Sequence, residues 1–252
     1  MLGNGVTEPL LCILDNDKRA VVKVFNNCQG NLTLVNEYIC YKLACALGLP
    51  MPNSGICLCD ESTVDHSNYI NKKNYGYGFY STYLEKNTLL KQGIMKYISN
   101  IDVFLKVVIF DHLIYNTDRN IGNLLVEYRK KNIFVSVIDH SHVFKNQTIW
   151  DSNCFKIGIE ENDYADNDIM IHNEQLYQMF YMTINITYEN LTKCAHEMQS
   201  ILTEHLLGDI MSQIPHEWHV SDINLIALKN YILYRLEHLD QICTVIIDYI
   251  KA

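Results

Sequence analysis

Two stretches of the chain place carboxylate and carboxamide side chains among apolar residues, where a plain hydrophobic core would hold neither. YNTDRNIGNLLV (115–126) contains Asp118 and Asn123, and VSVIDHSHVF (135–144) contains Asp139. A carboxamide oxygen and a carboxylate that converge form a hard-oxygen site suited to Mg²⁺, which takes its other ligands from phosphates and water. A further carboxylate nearby can accept a proton from a hydroxyl group. This division of roles is the one that phosphoryl transfer uses.

The residues between Asn123 and Asp139 predict a β-hairpin that would bring these two side chains together. LLVEY (124–128) is typical of one strand, RKKN (129–132) of a polar turn and IFVSVI (133–138) of the returning strand. In an antiparallel hairpin the outer ends of the strands are neighbours, with paired residues about 5 Å apart. Asn123 directly precedes the first strand and Asp139 directly follows the second, so we expect the two side chains to lie close together.

Asp118 precedes Asn123 on a loop that Gly122 allows to turn tightly. Arg119 is expected to neutralise some of the local negative charge. Taken singly, Asp118, Asn123 and Asp139 are more often structural, as turn residues or strand-end caps. Their joint spacing around a hairpin favours a phosphotransfer site.

An upstream lysine is expected to complete this site. Lys23 lies in the middle of AVVKVF (20–25), between apolar residues. In a nucleotide site such a lysine reaches the α- and β-phosphates, whereas on an edge strand it would point into solvent. Glu37 lies near the start of the following predicted helix, where it can hold Lys23 by an ion pair or simply face water. The sequence leaves both interpretations open for each residue.

Gly3-Asn4-Gly5-Val6-Thr7 precedes the first predicted strand and can lay backbone N–H groups over phosphates. The segment lacks a full GxGxxG pattern. Gly5 and Thr7 are therefore candidates for nucleotide binding, and Thr7 is also the candidate for autophosphorylation.

Composition limits the classes of function. The chain has 252 residues, of which 48% are hydrophobic and 19% charged, as in a folded globular protein. A net charge of −9 argues against non-specific binding to nucleic acid, because its phosphates need a basic protein surface. No apolar run is long enough for a membrane span, and no basic segment followed by a long apolar one predicts a signal peptide. The nine cysteines are odd in number and scattered, which favours a reduced, cytoplasmic protein. Cys57 and Cys59 do not have zinc-site spacing.

The remaining pattern predicts an α+β fold with two lobes, a small β-rich one over residues 1–84 and a mostly helical one over 85–252. Strands are predicted at LLCIL and AVVKVF (10–25), SGICLCD (54–60) and GFYSTYLE (78–85). Helices are predicted at 31–48 and 101–115, and helical periodicity covers 174–207 and 221–250. Ser221 is expected to cap the last of these, after a break at Pro215.

Together these patterns resemble those of the HipA-like kinases, which belong to the wider protein-kinase-like group. The resemblance is carried by AVVKVF (20–25), NEYICYKLACALGLPMP (36–52), FDHLIYNTDRNIGNLLV (110–126) and VIDHSHVF (137–144), in the order that the family has them. The NTDRxxGN block is the most specific part. The chain departs from the family at Asn120, where the family usually has His, and at Ser141, where it usually has Gly.

The resemblance implies ATP- and Mg²⁺-dependent phosphorylation of a protein Ser or Thr. Asp118 would be the catalytic base, Asn123 and Asp139 the Mg²⁺ ligands, and Lys23 the phosphate-binding lysine. The segment from Thr82 to Leu84, with Tyr83, would contact adenine. Near relatives act on aminoacyl-tRNA synthetases as toxins of toxin–antitoxin pairs. Since the chain shows no helix-turn-helix, any DNA-binding antitoxin would be a separate chain.

Two other functions fit the same residues. A small molecule or a lipid headgroup can replace the protein acceptor, because the fold does not determine the substrate. A nucleotide-binding module without turnover is the non-enzymatic alternative, suggested by the incomplete glycine loop and by Ser141. No membrane and no direct nucleic-acid partner are expected.

Overall fold

The computed structural model describes residues 8–66 and 68–252, so the candidates Gly5 and Thr7 lie outside the described residues. The first part of the chain forms an antiparallel sheet with strand order β1-β2-β4-β3 and a helix packed against β3 and β4. These elements are β1 (Leu10–Ile13), β2 (Arg19–Lys23), α1 (Leu32–Ala46), β3 (Ser54–Cys59) and β4 (Gly76–Thr82). They confirm the predicted strands and the first predicted helix.

The alternation of β2 decides which way Lys23 faces. Ala20 and Val22 are buried in a small apolar cluster on one face of the sheet, whereas Val21 and Lys23 line a cavity on the other. β2 lies between β1 and β4, and Lys23 is only 8% exposed. The interpretation of Lys23 as a solvent-facing edge-strand lysine is therefore wrong.

Helix α1 is buried over most of its surface, because it packs under the sheet and against the rest of the core. Leu34, Val35, Ile39 and Leu43 have no exposed surface. Glu37 shares this burial and is 3% exposed. A carboxylate so deeply buried requires a partner, so the interpretation of Glu37 as a water-facing helix residue is also wrong.

The second part of the chain is mostly helical and surrounds α3, nine of whose eleven residues are buried. α3 packs against α5, α6, α8 and α9, as expected for a helix that is apolar nearly all round. The helices of this part are α2 (Gln92–Met95), α3 (Val103–Leu113), α4 (Ser152–Glu160), α5 (Asp168–Tyr181), α6 (Tyr188–Ile201), α7 (Glu204–Ser212), α8 (Asp222–Glu237) and α9 (Leu239–Lys251).

The long helical periodicities correspond to several shorter helices. The pattern over 174–207 crosses from α5 through α6 into α7. Thr187 and Thr203 lie at the two breaks and cap the N-termini of α6 and α7 by accepting backbone N–H groups. The pattern over 221–250 covers α8 and α9. Ser221 accepts the Asn224 N–H at the start of α8, as predicted. The lobe boundary expected at residue 84 stays a prediction.

A second antiparallel sheet, with order β5-β6-β7, contains the predicted hairpin. Its strands are β5 (Asn87–Leu89), β6 (Leu124–Arg129) and β7 (Asn132–Val137). Arg129 pairs with Asn132, so the turn is shorter than the predicted one and consists of Lys130 and Lys131. At the other end Leu124 pairs with Val137, which leaves Asn123 and Asp139 just beyond the paired strands.

Candidate active site

The hairpin brings Asn123 and Asp139 together, as the spacing predicts. The Ile138 N–H donates to Asn123 O at 3.0 Å and continues the ladder by one residue. Asn123 Nδ2 donates to Asp118 O at 3.2 Å and to Asp139 O at 3.4 Å. One carboxamide thus joins the loop that carries Asp118 to the loop that carries Asp139. Among the described residues none donates a hydrogen bond to its Oδ1 atom, which can therefore accept a ligand.

Asp139 has a left-handed backbone, with φ of 57°, a conformation that is uncommon for a residue other than glycine. Its Oδ1 atom accepts a hydrogen bond from Lys23 Nζ at 2.8 Å. Burial alone would raise the pKa of Asp139, but the ammonium of Lys23 outweighs burial and holds this pKa below its ordinary value. Asp139 is therefore ionised, and with this backbone conformation its carboxylate is directed towards Lys23.

Lys23 also contacts Glu37 Oε1 and, at 2.6 Å, Ser141 Oγ. Burial alone would lower the pKa of Lys23, but the carboxylates of Asp139 and Glu37 outweigh it and hold the pKa above its ordinary value. Burial raises the pKa of Glu37, and Lys23 opposes that shift. Lys23 is thus a fixed cation that three elements hold: β2, α1 and the loop after β7.

Asp118 lies beside this group and, like Asp139, whose side chain is 41% exposed, it is reached by solvent. Its side chain is 49% exposed, and His142 Nδ1 lies 3.8 Å from Oδ2. Burial raises the pKa of Asp118, the charge of His142 opposes the rise, and the nearby Asp139 adds to it. The Asp118 N–H donates to Asn116 Oδ1 at 2.9 Å, which fixes the backbone of its loop. We call these side chains the cleft cluster: Lys23, Glu37, Asp118, Asn123 and Asp139.

Arg119 makes its direct side-chain contacts outside the cleft cluster. Its side chain is fully buried and forms an ion pair with Asp111, with Nη2 2.9 Å from Oδ1. Arg119 Nη1 donates to Ile138 O at 3.0 Å, and Nη2 lies 2.8 Å from His140 Nε2. Arg119 contributes to the field at Asp118, but its hydrogen bonds go to Asp111 on α3 and to the loop after β7.

Two residues of α5 complete this buried arrangement. Asn173 Oδ1 accepts the Arg119 N–H at 2.9 Å, while its Nδ2 donates to Asn116 O at 2.7 Å. Tyr177 OH donates to Asp111 Oδ2 at 3.0 Å. We call the group the anchor network: Asp111, Asn116, Arg119, His140, Asn173 and Tyr177.

The one signal for this network in the sequence is Asp111 itself, since a carboxylate inside a helix that is apolar nearly all round needs a buried partner.

A cavity of about 280 Å³ opens beside the cleft cluster. Its lining includes Lys23, Glu37, Gly122 and Asp139 at one end. The other side is largely apolar, with Val21, Met51, Pro52, Phe79, Thr82, Tyr83, Leu84, Leu125 and Ile138. The Tyr83 N–H donates to Arg19 O at 2.9 Å and so continues the sheet into this segment. The cavity therefore joins an apolar slot to a charged end.

Across residues 8–66 and 68–252 the structure shows no group of three or more His, Cys, Asp or Glu side chains placed to hold a metal ion. Cys57 and Cys59 are free thiols. Within the same residues, none of the helices is long and apolar enough to cross a bilayer.

Comparison with solved structures identifies the fold. A Helicobacter pylori proinflammatory kinase, CtkA, superposes with a TM-score of 0.57 at 13% identity, covering 96% of this chain and 94% of that one. HipA of Shewanella oneidensis MR-1, in its complex with HipB and operator DNA, gives 0.45 at 10% identity, over 95% of this chain and 64% of that one. A Golgi casein kinase gives 0.42 at 12% identity, over 95% and 71%. The fold is protein-kinase-like, which confirms the predicted α+β class.

No curated protein sequence matches the chain. A family model described as HipA-like kinase matches residues 2–244, which is nearly the whole sequence. The resemblance that the motifs suggest is thereby confirmed, and the chain belongs to the HipA-like kinase family.

Proposed function

We propose that the protein is an ATP- and Mg²⁺-dependent phosphotransferase that phosphorylates a Ser or Thr hydroxyl group of another protein. The observation that carries this proposal is the 2.8 Å contact of Lys23 with Asp139 at the charged end of the cavity, with Asn123 and the half-exposed Asp118 beside it. These are the residue types and the arrangement that phosphoryl transfer needs.

The cavity fits a nucleotide in one orientation. The apolar slot, bounded by Val21, Phe79 and Leu125, suits an adenine ring, with the segment around Tyr83 along its edge. Lys23 at the other end is placed to bind the α- and β-phosphates. Because Glu37 and Asp139 hold its ammonium, Lys23 binds phosphate without first having to be ordered.

The charges of the cleft cluster favour a divalent cation. Glu37 and Asp139 contact the ammonium of Lys23, and the Asp118 carboxylate lies near Asp139. A triphosphate would therefore add negative charge to a cluster that already has more carboxylates than ammonium groups. Asn123 Oδ1 and the Asp139 carboxylate are the oxygen atoms that would hold Mg²⁺, an ion that needs few protein ligands. When bound, Mg²⁺ neutralises the charge that develops on the phosphates.

Asp118 is the group that would act on the acceptor. Its carboxylate is open to solvent on one side, whereas Asp139 is held by Lys23. Asp118 can therefore accept a hydrogen bond from an incoming hydroxyl group, orient it towards the γ-phosphate and take its proton. The rise in pKa that burial causes makes Asp118 a better base.

Membership of the family supports a protein acceptor, and an aminoacyl-tRNA synthetase is the first acceptor to assay. It also supports a toxin–antitoxin role, with a separate antitoxin chain as partner. The nine scattered cysteines favour a cytoplasmic location. A small-molecule or lipid acceptor would use the same cleft cluster.

The test is incubation with Mg²⁺, cell lysate and ATP labelled on the γ-phosphate. We expect label in protein, and in Asp118→Asn we expect transfer to fall by about a hundredfold to ten-thousandfold, the usual contribution of a general base. Asp102→Asn, which changes an exposed carboxylate at the start of α3, is the matched control and should transfer at the wild-type rate. Label found only in small molecules or lipids would contradict the protein acceptor. ATP binding without any transfer would contradict the enzymatic proposal.

A further inference from the structure

Ser141 carries a buried hydroxyl group to which neither the metal site nor the acceptor site assigns a role. The residue is 1% exposed and lies two positions after Asp139. Its Oγ atom accepts a hydrogen bond from Lys23 Nζ at 2.6 Å and donates one to Glu37 Oε1 at 3.1 Å. A hydroxyl group has one proton and can accept as well, so Ser141 satisfies the cation and the carboxylate at the same time.

The backbone of Ser141 makes the same connection a second time. Ser141 O accepts a hydrogen bond from Asn36 Nδ2 at 2.7 Å, and Asn36 is the neighbour of Glu37 on α1. Asn36 is itself held, because its Oδ1 accepts the indole N–H of Trp150 at 2.9 Å. Through its side chain and its carbonyl group, Ser141 therefore joins α1 to the loop that carries Asp139.

The backbone conformation at this position does not require glycine. Asp139 has a positive φ, but Ser141 is not among the described residues that do. A serine here is unstrained, and it has fewer accessible conformations than a glycine would have. Ser141 thus adds two hydrogen bonds to the Lys23–Glu37 pair and also restricts the loop.

We infer that Ser141 is a positioning residue, whose hydroxyl group holds the Lys23–Glu37 pair in a fixed place relative to Asp139. The inference rests on the proposed phosphotransfer function, because it concerns the geometry of that site. It assigns to Ser141 an effect on turnover that acts through Lys23 and Glu37 and does not depend on a contact with ATP or with the acceptor.

The test compares Ser141→Ala with Glu37→Gln and with the double variant. Label transfer to lysate protein is measured over a range of ATP concentrations, so that kcat and the KM for ATP are obtained separately. We expect Ser141→Ala to lower kcat about tenfold, the effect of losing a hydrogen bond to a charged partner, and to change the KM less than about threefold. If Ser141 acts through the Lys23–Glu37 pair, the double variant should be no slower than Glu37→Gln within about twofold.

Ser136→Ala is the matched control. Ser136 is also a buried serine, on β7, and its hydroxyl group donates to Glu127 Oε1 at 2.5 Å, away from the cleft cluster. It should lower the unfolding midpoint and leave kcat unchanged. Ser141→Cys, which nearly keeps the volume but has a weak hydrogen-bonding group, should be as slow as the alanine variant, and it replaces that variant if alanine does not fold.

The outcomes separate the two proposals. Wild-type protein that transfers no label would overturn the proposed function, and the role of Ser141 with it. Active wild-type protein with an equally active Ser141→Ala or Ser141→Cys variant would overturn the role of Ser141 alone. That role is also overturned if the effects of Ser141→Ala and Glu37→Gln multiply in the double variant, because the two residues would then act independently.

Discussion

The cleft cluster and the anchor network use similar side chains a few residues apart. They differ in how completely other groups of the protein neutralise their charges and satisfy their hydrogen bonds. In the anchor network, Asp111 and Arg119 are a fully buried ion pair, and the remaining donors of Arg119 go to His140 and a backbone carbonyl group. In the cleft cluster, the carboxylates of Glu37 and Asp139 share one ammonium, and Asp118 is half exposed without contacting it.

This difference distinguishes a group of side chains that stabilises the fold from a group that can bind a ligand. The Asp111–Arg119 pair makes its hydrogen bonds within the protein and so holds the loop of Asp118 against α3 and α5. Among the described residues of the anchor network, His140 Nδ1 is the buried atom without a partner. The cleft cluster keeps unneutralised charge beside a cavity, and such a site favours a cation and a polyanion together. Sequence proximity does not distinguish the two groups, since Asp118 belongs to one and Arg119 to the other.

The largest expected effect on stability comes from breaking the anchor network. Asp111→Leu leaves the Arg119 guanidinium buried without its carboxylate, which should lower the free energy of unfolding by about 3–5 kcal/mol. Denaturant unfolding measures the change. The double variant Asp111→Leu/Arg119→Leu removes both charges and should recover part of the loss. An unchanged unfolding midpoint in Asp111→Leu would show that the pair is not a buried one.

A smaller effect is expected from the neutral histidine next to the network. Burial is the main cause that lowers the pKa of His112, to about 3, with the charge of Arg235 adding to it. The unfolded chain takes up a proton near pH 6.5, which the folded protein cannot do until the pH is far lower. His112 therefore stabilises the fold fully above pH 6.5, and this contribution is lost as the pH falls towards 3, by up to about 1.4 kcal/mol per pH unit.

Unfolding at pH values between 7 and 5 tests this sign. His112→Gln has no titrating group at this position, so its stability should fall less steeply on acidification than that of the wild-type protein. His205→Gln, at an exposed histidine, is the matched control and should follow the wild-type profile. Parallel profiles for all three proteins would contradict the account of His112.

The smallest effect is expected where a charge pair lies on the surface. Arg19 and Glu85 form an ion pair with side chains 50% and 61% exposed. Solvent screens such a pair, so Glu85→Ala should change the free energy of unfolding by less than about 1 kcal/mol. A loss as large as that of Asp111→Leu would mean that burial is not what separates the two regions.

The sequence was informative where a local pattern determined the geometry. The hairpin could be predicted from the alternation of LLVEY and IFVSVI, and with it the meeting of Asn123 and Asp139. The ion pair of Lys23 with Glu37 could be proposed but not decided, because local spacing does not show which face of β2 meets α1. Their roles, like those of Tyr83, Asn123 and Asp139, stay predictions.

Contacts between distant parts of the chain could not be predicted in this way. Asn173 reaches Arg119 from α5, and Ser141 reaches Glu37 from the loop after β7, across more than fifty and one hundred residues respectively. Nothing in the neighbourhood of either residue indicates its partner. The charge of Arg119 acts on Asp118 as expected, but its direct partner Asp111 could not be predicted for the same reason, since only the packing of α3 brings the two together.

Calorimetric titration of ATP in the presence of Mg²⁺ tests the central claim most directly, with wild-type protein, Asp118→Asn and Asp139→Asn side by side. If Asp139 holds the metal and Asp118 acts only on the acceptor, wild-type and Asp118→Asn should bind ATP with equal affinity. Asp139→Asn should bind it at least about tenfold more weakly. Equal weakening in both variants, or no binding of ATP by the wild-type protein, would contradict this division of roles within the cleft cluster.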